Sequence, residues 1–390
     1  MGGTVMDHAL QALLRMVKSA LTEQAVELTV PLDLQEVGAL AVRHQVEGLA
    51  YDGAMRCGVS KQEPGMRSLF QAYCRAALKS ELQVKALEAL YGAFDREGVD
   101  YLPLKGCIMK WMYPVPELRA MNDADILIRV EQYEKIGPLM EALDYRFVAE
   151  SDCELKWTTP GLYVELHKRL IPSFIKDFYA YFGDGWQLAH PEEGTRYAMG
   201  AEDEFLFIFT HFARHYREGG VGIRHMADIW QYRRSRPELD EEKLRAVLKK
   251  LSLETFYDNI LLTLLNWFED GEETEITDMI TRYIANSGSF GNEETKGVAD
   301  SMRRAKGKGK RGLVVKTLFP PLENMRYAYP VLQKAPVLLP AMWAYRGIKV
   351  TLFRRDLLKE QGGRFKEADK IDAFERSLRA VGLGMEFEEN

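Results

Sequence analysis

Apolar positions in the first hundred residues recur with the period of a helix. Leu10, Leu13, Leu14, Val17 and Leu21 form one stripe within residues 7–28. Pro31 breaks that pattern, and Asp33 with Glu36 has the spacing of a capping box for the next helix. Gly58 to Pro64 is a polar break. A long helix then runs from about Gly65 to Arg96, with Leu87, Leu90, Tyr91 and Phe94 on its apolar side and Gly98 as its stop.

The period changes after Tyr101. Leu102 to Leu104 reads as a strand end, Gly106 as a turn, and Cys107 to Met112 as a short helix. Asp125-Ile126-Leu127-Ile128 has the apolar run of a buried strand, and Glu131 to Leu143 reads as a helix. Tyr145–Glu150, Glu154–Thr159 and Leu162–Arg169 read as strands, the last two joined at Pro160-Gly161. Residues 171–196 have no clear period. Helices resume with Phe205, Ile208, Phe209 and Phe212, and again with Leu244, Val247, Leu248 and Leu251, the latter continuing to about Glu269. A Gly/Ser/Asn-containing break spans Asn286 to Glu294. Tyr327 to Tyr345 is apolar but too interrupted by proline to cross a bilayer. A charged stretch from Glu360 to Ile371 precedes a final helix near Ala373–Val381, and Glu386 to Asn390 reads as loose.

The expected fold is α/β (α+β): a small mixed sheet flanked by N-terminal and C-terminal helical regions. The segments are 1–98, a helical cap; 99–170, the sheet; 171–285, helices completing a pocket; and 286–390, a helical extension with a basic loop.

Composition narrows the function only at the margins. The 390 residues are 46% hydrophobic and 28% charged, ordinary for a globular protein with a sizeable core. A net charge of −6 argues against a broadly basic nucleic-acid surface. The four cysteines, Cys57, Cys74, Cys107 and Cys153, lack paired spacing, so neither a zinc knuckle nor a disulfide framework is indicated. Met1 to Met6 does not open a signal peptide, and a cytoplasmic protein is expected. Arg303, Arg304, Lys306, Lys308, Lys310, Arg311 and Lys316 form a glycine-interleaved basic run, expected to be a solvated loop.

The chemistry concentrates between Tyr101 and His167. Side chains alternate along a strand, so Asp123 and Asp125 share a face with Cα atoms roughly 6.5 Å apart. Tyr163, Glu165 and His167 likewise share a face of their strand. If the two strands are neighbours, Glu165 joins the aspartates. Three carboxylates so close repel unless cations neutralise them, and hard oxygen ligands favour Mg²⁺ or Mn²⁺. Gly106 lets backbone approach a ligand, and the helix after it offers N–H groups to phosphate. Lys105 and Arg119 bring positive charge, for phosphate or for an ion pair with the acidic cluster.

The order Lys105-Gly106, helix, Arg119, Asp123-x-Asp125 before an apolar strand, then Glu165-Leu166-His167 resembles the nucleotidyltransferase superfamily. It is most similar to the bacterial group called uncharacterised nucleotidyltransferases, over roughly Val46 to Tyr345. The resemblance implies that Asp123 and Asp125 bind metal, that Glu165 is the third ligand or the general base, and that Gly106 is the phosphate-loop glycine. It implies a nucleoside triphosphate such as ATP as donor, and an acceptor that is a small molecule, a protein or an RNA. The superfamily places serine after this glycine, where this chain has Cys107.

Outside that stretch, His211 and His215 lie four apart on a helix, followed by Arg224 and Asp228. These residues fit a pocket wall facing nucleotide or acceptor, a zinc site of a metal-dependent phosphohydrolase with Asp228, or ordinary core histidines. His167 fits a role in orienting a ligand or as a satisfied core residue. A non-catalytic nucleotide-binding protein on the same fold is a further alternative.

Overall fold

A computed structural model of the chain describes residues 7–289 apart from Asp152 and Phe174, together with 296–297, 319, 322, 325, 329, 331–353 and 372–384. The basic run at 303–316, the charged stretch at 360–371 and residues 386–390 lie outside the described residues. The chain divides into two units, residues 1–216 with 220–291, and residues 292–390 with 217–219.

Helix α1 (His8–Thr22) buries its predicted stripe completely and is capped by Asp7, whose Oδ1 accepts from the Ala9 amide at 3.1 Å. It stops six residues earlier than the sequence pattern suggests. Glu23 turns left-handed at φ 58° and donates its N–H to Ser19, while Ser19 Oγ bonds the Gln24 carbonyl. That local closure outcompetes the weak apolar continuation at Val26 and Leu28. Helix α2 (Leu34–His44) begins at Asp33, whose carboxylate accepts from the Gln35 and Glu36 amides. Helix α3 (Glu47–Arg56) crosses α1 with almost no spacing: a Cβ on Gly53 would lie 1.9 Å from the Met16 carbonyl oxygen. Helix α4 (Met66–Glu97) ends where Gly98 adopts φ 61°.

Helix α4 feeds the sheet directly. Strands β1 (Tyr101–Pro103), β2 (Asp123–Ile128), β3 (Arg146–Glu150), β4 (Glu154–Thr159) and β5 (Leu162–His167) lie in the order β1-β2-β5-β4-β3. Strands β2 and β5 are parallel and the other pairs antiparallel, so the sheet is mixed, as expected. One face is dry. Ala124, Ile126 and Ile128 of β2 and Val164 and Leu166 of β5 pack with Leu87, Leu90 and Phe94 of α4. The alternation that buries these residues turns Asp123, Asp125, Glu165 and His167 to the other face. Helix α5 (Gly106–Met109) sits between β1 and β2, and α6 (Tyr133–Ala142) follows β2.

The second half of the first unit is helical, with α7 (Lys176–Phe182), α8 (Ala201–Arg217), α9 (Ile223–Ser235), α10 (Glu241–Lys250), α11 (Glu254–Phe268) and α12 (Glu275–Ser287). The aperiodic stretch at 171–196 holds α7 and strand β6 (Ala189–Pro191), which pairs with β7 (Tyr197–Met199) as a small hairpin. The single helix expected from Leu244 to Glu269 is two. Ser252 takes φ 56°, and the Leu253 amide bonds back to Leu248. In the second unit, helical segments occupy Val331–Lys334, Leu339–Phe353 and residues 372–380. Its aromatic contacts include Phe319 with Trp343 and Tyr329 with Tyr345. Among the described residues no helix is long and apolar enough to cross a membrane.

The α1–α3 crossing gives a stability test. Gly53→Ala should cost about 1–3 kcal/mol in urea denaturation, because the methyl must displace backbone. Gly38→Ala, with nothing within 4 Å of its added carbon, should gain about 0.5–1 kcal/mol from helix propensity. Equal effects of the two changes would show that the close crossing is not rigid.

Candidate active site

The sheet's polar face floors a cavity of about 610 Å³ whose opposite wall is α8 and α9. Parallel pairing of β2 with β5 sets Asp123 opposite Tyr163 and Asp125 opposite Glu165. One ligand atom from each of Asp125, Glu165 and His167 falls within 4.8 Å of the others. Asp123 lines the same cavity but is not part of that closest group. Asp125 and His167 are 5% and 8% exposed, so this floor is shielded from bulk water.

Cations already compensate the carboxylates. Lys105 Nζ donates to Asp125 Oδ1 at 2.8 Å, and His167 Nε2 donates to the same oxygen at 2.7 Å. Burial opposes ionisation of Asp125, but Lys105 and His167 outweigh it and hold its carboxyl well below the usual carboxylate range. Glu165 differs. Burial raises its pKa, the hydrogen bond from Lys156 opposes that, and the neighbouring Asp125 charge raises it further. Lys156 reaches Glu165 and Glu154 at 2.8 Å each. Lys156 was legible in principle, since a turn at Pro160-Gly161 sets the β4–β5 register and places it opposite Glu165.

The turn before α5 departs from expectation. The left-handed backbone belongs to Lys105, at φ 44° and ψ −109°. Gly106 is required for space instead, since a Cβ there would lie 2.7 Å from Arg119 Nη1 and 3.0 Å from Met121 Cγ. The amides of Cys107 and Ile108 bond back to the carbonyls of Leu104 and Lys105, so they are not free for phosphate. The Cys107 side chain points into the core beneath the sheet, where burial pushes its thiol up to about 12. A serine hydroxyl at that position would therefore sit beside the Tyr91 hydroxyl in that core rather than in the cavity.

Arg119 is held by a partner that sequence spacing did not suggest. Its Nε and Nη2 fork onto the two oxygens of Asp228, at 3.1 and 2.8 Å, and Tyr113 donates to the same carboxylate at 2.7 Å. Burial works against the Arg119 cation, but Asp228 overcomes this and raises its pKa. A pair 109 residues apart leaves no local signature. Among the described residues, Asp228 does not come within metal-sharing distance of His211 and His215. Those two histidines instead bond each other, Nε2 to Nε2 at 3.1 Å. Burial first, then nearby cations, drives His211 and His225 well below the ordinary imidazole value and His215 to about 3. Arg224 lines the cavity beside them and donates to the Ala120 carbonyl at 3.2 Å; burial and Arg119 lower its pKa to about 10.

Two stability predictions follow from these buried groups. Asp228→Ala should cost about 3–5 kcal/mol by stranding Arg119, and Arg119→Met/Asp228→Leu should recover most of it, measured by denaturant midpoints. For His215, the unfolded chain takes up a proton near pH 6.5 that the folded chain refuses until about pH 3. Its contribution is thus complete above pH 6.5 and lost as pH falls towards 3. Between pH 6.5 and 4.5, stability should fall less steeply in His215→Gln, by about one proton's worth of slope; unchanged slope would mean the imidazole is solvated.

A family model agrees with the family that the motifs resemble. The family model described as "Uncharacterised nucleotidyltransferase" matches residues 31–269, more than half of the chain. No curated protein matches. Among solved structures, the antibiotic-resistance factor ANT(2'')-Ia, known from a solution structure, is similar at 14% identity. The match covers 47% of this chain and 96% of that one, with a TM-score of 0.34. By the extent of the family match, the chain belongs to the uncharacterised nucleotidyltransferase family.

Proposed function

We propose that the cavity transfers a nucleoside monophosphate from a nucleoside triphosphate to an acceptor hydroxyl, with release of pyrophosphate. The observation that carries this is the β2–β5 register, which sets Asp125 against Glu165 with Asp123 on the same face, beside the Lys105-Gly106 turn. The donor set fits divalent cations: Asp125 and Glu165 bring ionisable oxygens together on a shielded floor, and Asp123 adds a third carboxylate at its edge. Bound there, Mg²⁺ or Mn²⁺ would neutralise triphosphate charge and acidify the acceptor hydroxyl.

The remaining roles belong to the chain itself. Lys105 exchanges its bond to Asp125 for the incoming phosphates, because its flexible stem carries a point charge that can swing between them. Arg119, locked by Asp228, packs its third nitrogen against Gly106 and fixes the turn's position. Glu165 either completes the metal's shell or accepts the acceptor's proton, a role that its raised pKa suits. His211, His215 and Arg224 form the wall that touches base or acceptor. The neutral imidazoles offer hydrogen bonds without adding charge.

The test is calorimetric titration of ATP, CTP, GTP and UTP with Mg²⁺ into the full chain, its Asp123→Asn and its Asp125→Asn variants. At least one triphosphate should bind, and the variants should weaken it at least hundredfold, about 2.7 kcal/mol. Equal binding by wild type and variants would remove the nucleotide from this floor and defeat the reading.

A further inference from the structure

We infer that His167 is itself a metal ligand, and that the centre formed by Asp125, Glu165 and His167 selects a first-row transition ion over Mg²⁺. This rests on the transferase reading only for its setting; the ligand set is argued from the floor alone.

Three observations converge. The first is proximity. His167 Nε2 lies 2.7 Å from Asp125 Oδ1 and 4.0 Å from Glu165 Oε2, with ligand atoms of all three residues inside a 4.8 Å span. Asp123, the partner that an all-carboxylate site would use, is outside that span. The second is rigidity. Asp125 and Glu165 are register partners on hydrogen-bonded strands, and His167 follows Glu165 by two residues on the same face. Strand β5 therefore sets Glu165 and His167 on one face at a fixed backbone spacing. The third is donor chemistry. Magnesium keeps oxygen ligands and water, whereas imidazole suits iron, nickel, copper and zinc and binds every first-row divalent ion better than magnesium. A nitrogen in a set of two carboxylates shifts the preference towards those ions.

The metal-free contacts show what an ion would replace. Two N–H donors, Lys105 and His167, now share Asp125 Oδ1, while Lys156 holds Glu165 Oε1 and leaves Oε2 turned towards His167. Coordination would use the Nε2 lone pair of His167, in the tautomer that carries its proton on Nδ1. A shared ion would then replace the hydrogen bond to Asp125.

The experiment uses the full chain without nucleotide, which separates it from any failure of the transferase reading. Mn²⁺ is titrated and followed by electron paramagnetic resonance. Pulsed spectra of the bound ion should show nitrogen modulation from a directly bound imidazole, converted to the ¹⁵N pattern by ¹⁵N-histidine labelling. In His167→Gln, which keeps an N–H for Asp125 but removes the imidazole, the nitrogen signal should vanish. The Mn²⁺ affinity should fall roughly tenfold or more, while Mg²⁺ affinity, measured by competition, moves little. Absence of nitrogen modulation in the labelled wild type would overturn the inference even if the variant fails to fold. So would a signal that persists in His167→Gln, which would place the ion on another histidine, or an unaltered preference between the two metals. Loss of triphosphate binding in Asp125→Asn with no nitrogen signal anywhere would leave the transferase reading standing and the histidine ligand refuted.

Discussion

Parallel pairing of β2 with β5 is the contact on which the site depends. It joins two segments some forty residues apart and sets their carboxylates side by side in a single register. A slip of one residue would turn Asp123 and Asp125 into the apolar layer under α4 and bring Ala124 and Ile126 to the cavity. The dry face therefore secures the wet one. Ile126, Ile128, Val164 and Leu166 can be buried only if the acids face the cavity.

The charge this creates is balanced before any ligand arrives. Lys105 answers Asp125, Lys156 answers Glu165 and Glu154, and Asp228 answers Arg119. These pairs differ in freedom. The Arg119 fork is buried on both sides and braced by Tyr113, which suits a fixed support. The lysines approach with single atoms on flexible stems, which suits exchange. The pocket thus combines one immobile cation, which shapes the turn, with others that can change partners.

Much of this was readable in the sequence, and the unread part has a consistent cause. Strand alternation placed Asp123 with Asp125 and Glu165 with His167, and Pro160-Gly161 marked the β4–β5 hairpin, because period and turn chemistry are local. The positions of Arg119 and Asp228 follow from tertiary packing of α9 against the segment after α5, to which no periodicity points. The two helices α10 and α11 merged in the sequence because Leu251 and Leu253 keep the apolar content high across a break made by one left-handed serine. The hairpin of β6 and β7 escaped notice because strands of three residues are too short to show alternation. The requirement for Gly106 was legible, but its reason was not: the constraint is the room taken by Arg119, not the torsion of the glycine.

The backbone of Lys105 carries one more meaning. At φ 44° and ψ −109° it occupies a region that glycine enters freely and that costs a side-chain-bearing residue about 1–3 kcal/mol. A glycine would make the turn more comfortable and the folded chain more robust, but it would leave Asp125 without its ammonium. The chain instead accepts local discomfort at the cavity floor, and the dry layer beneath the sheet supplies the surplus stability that holds it in place. Durability and chemistry thus make opposing demands on this one residue.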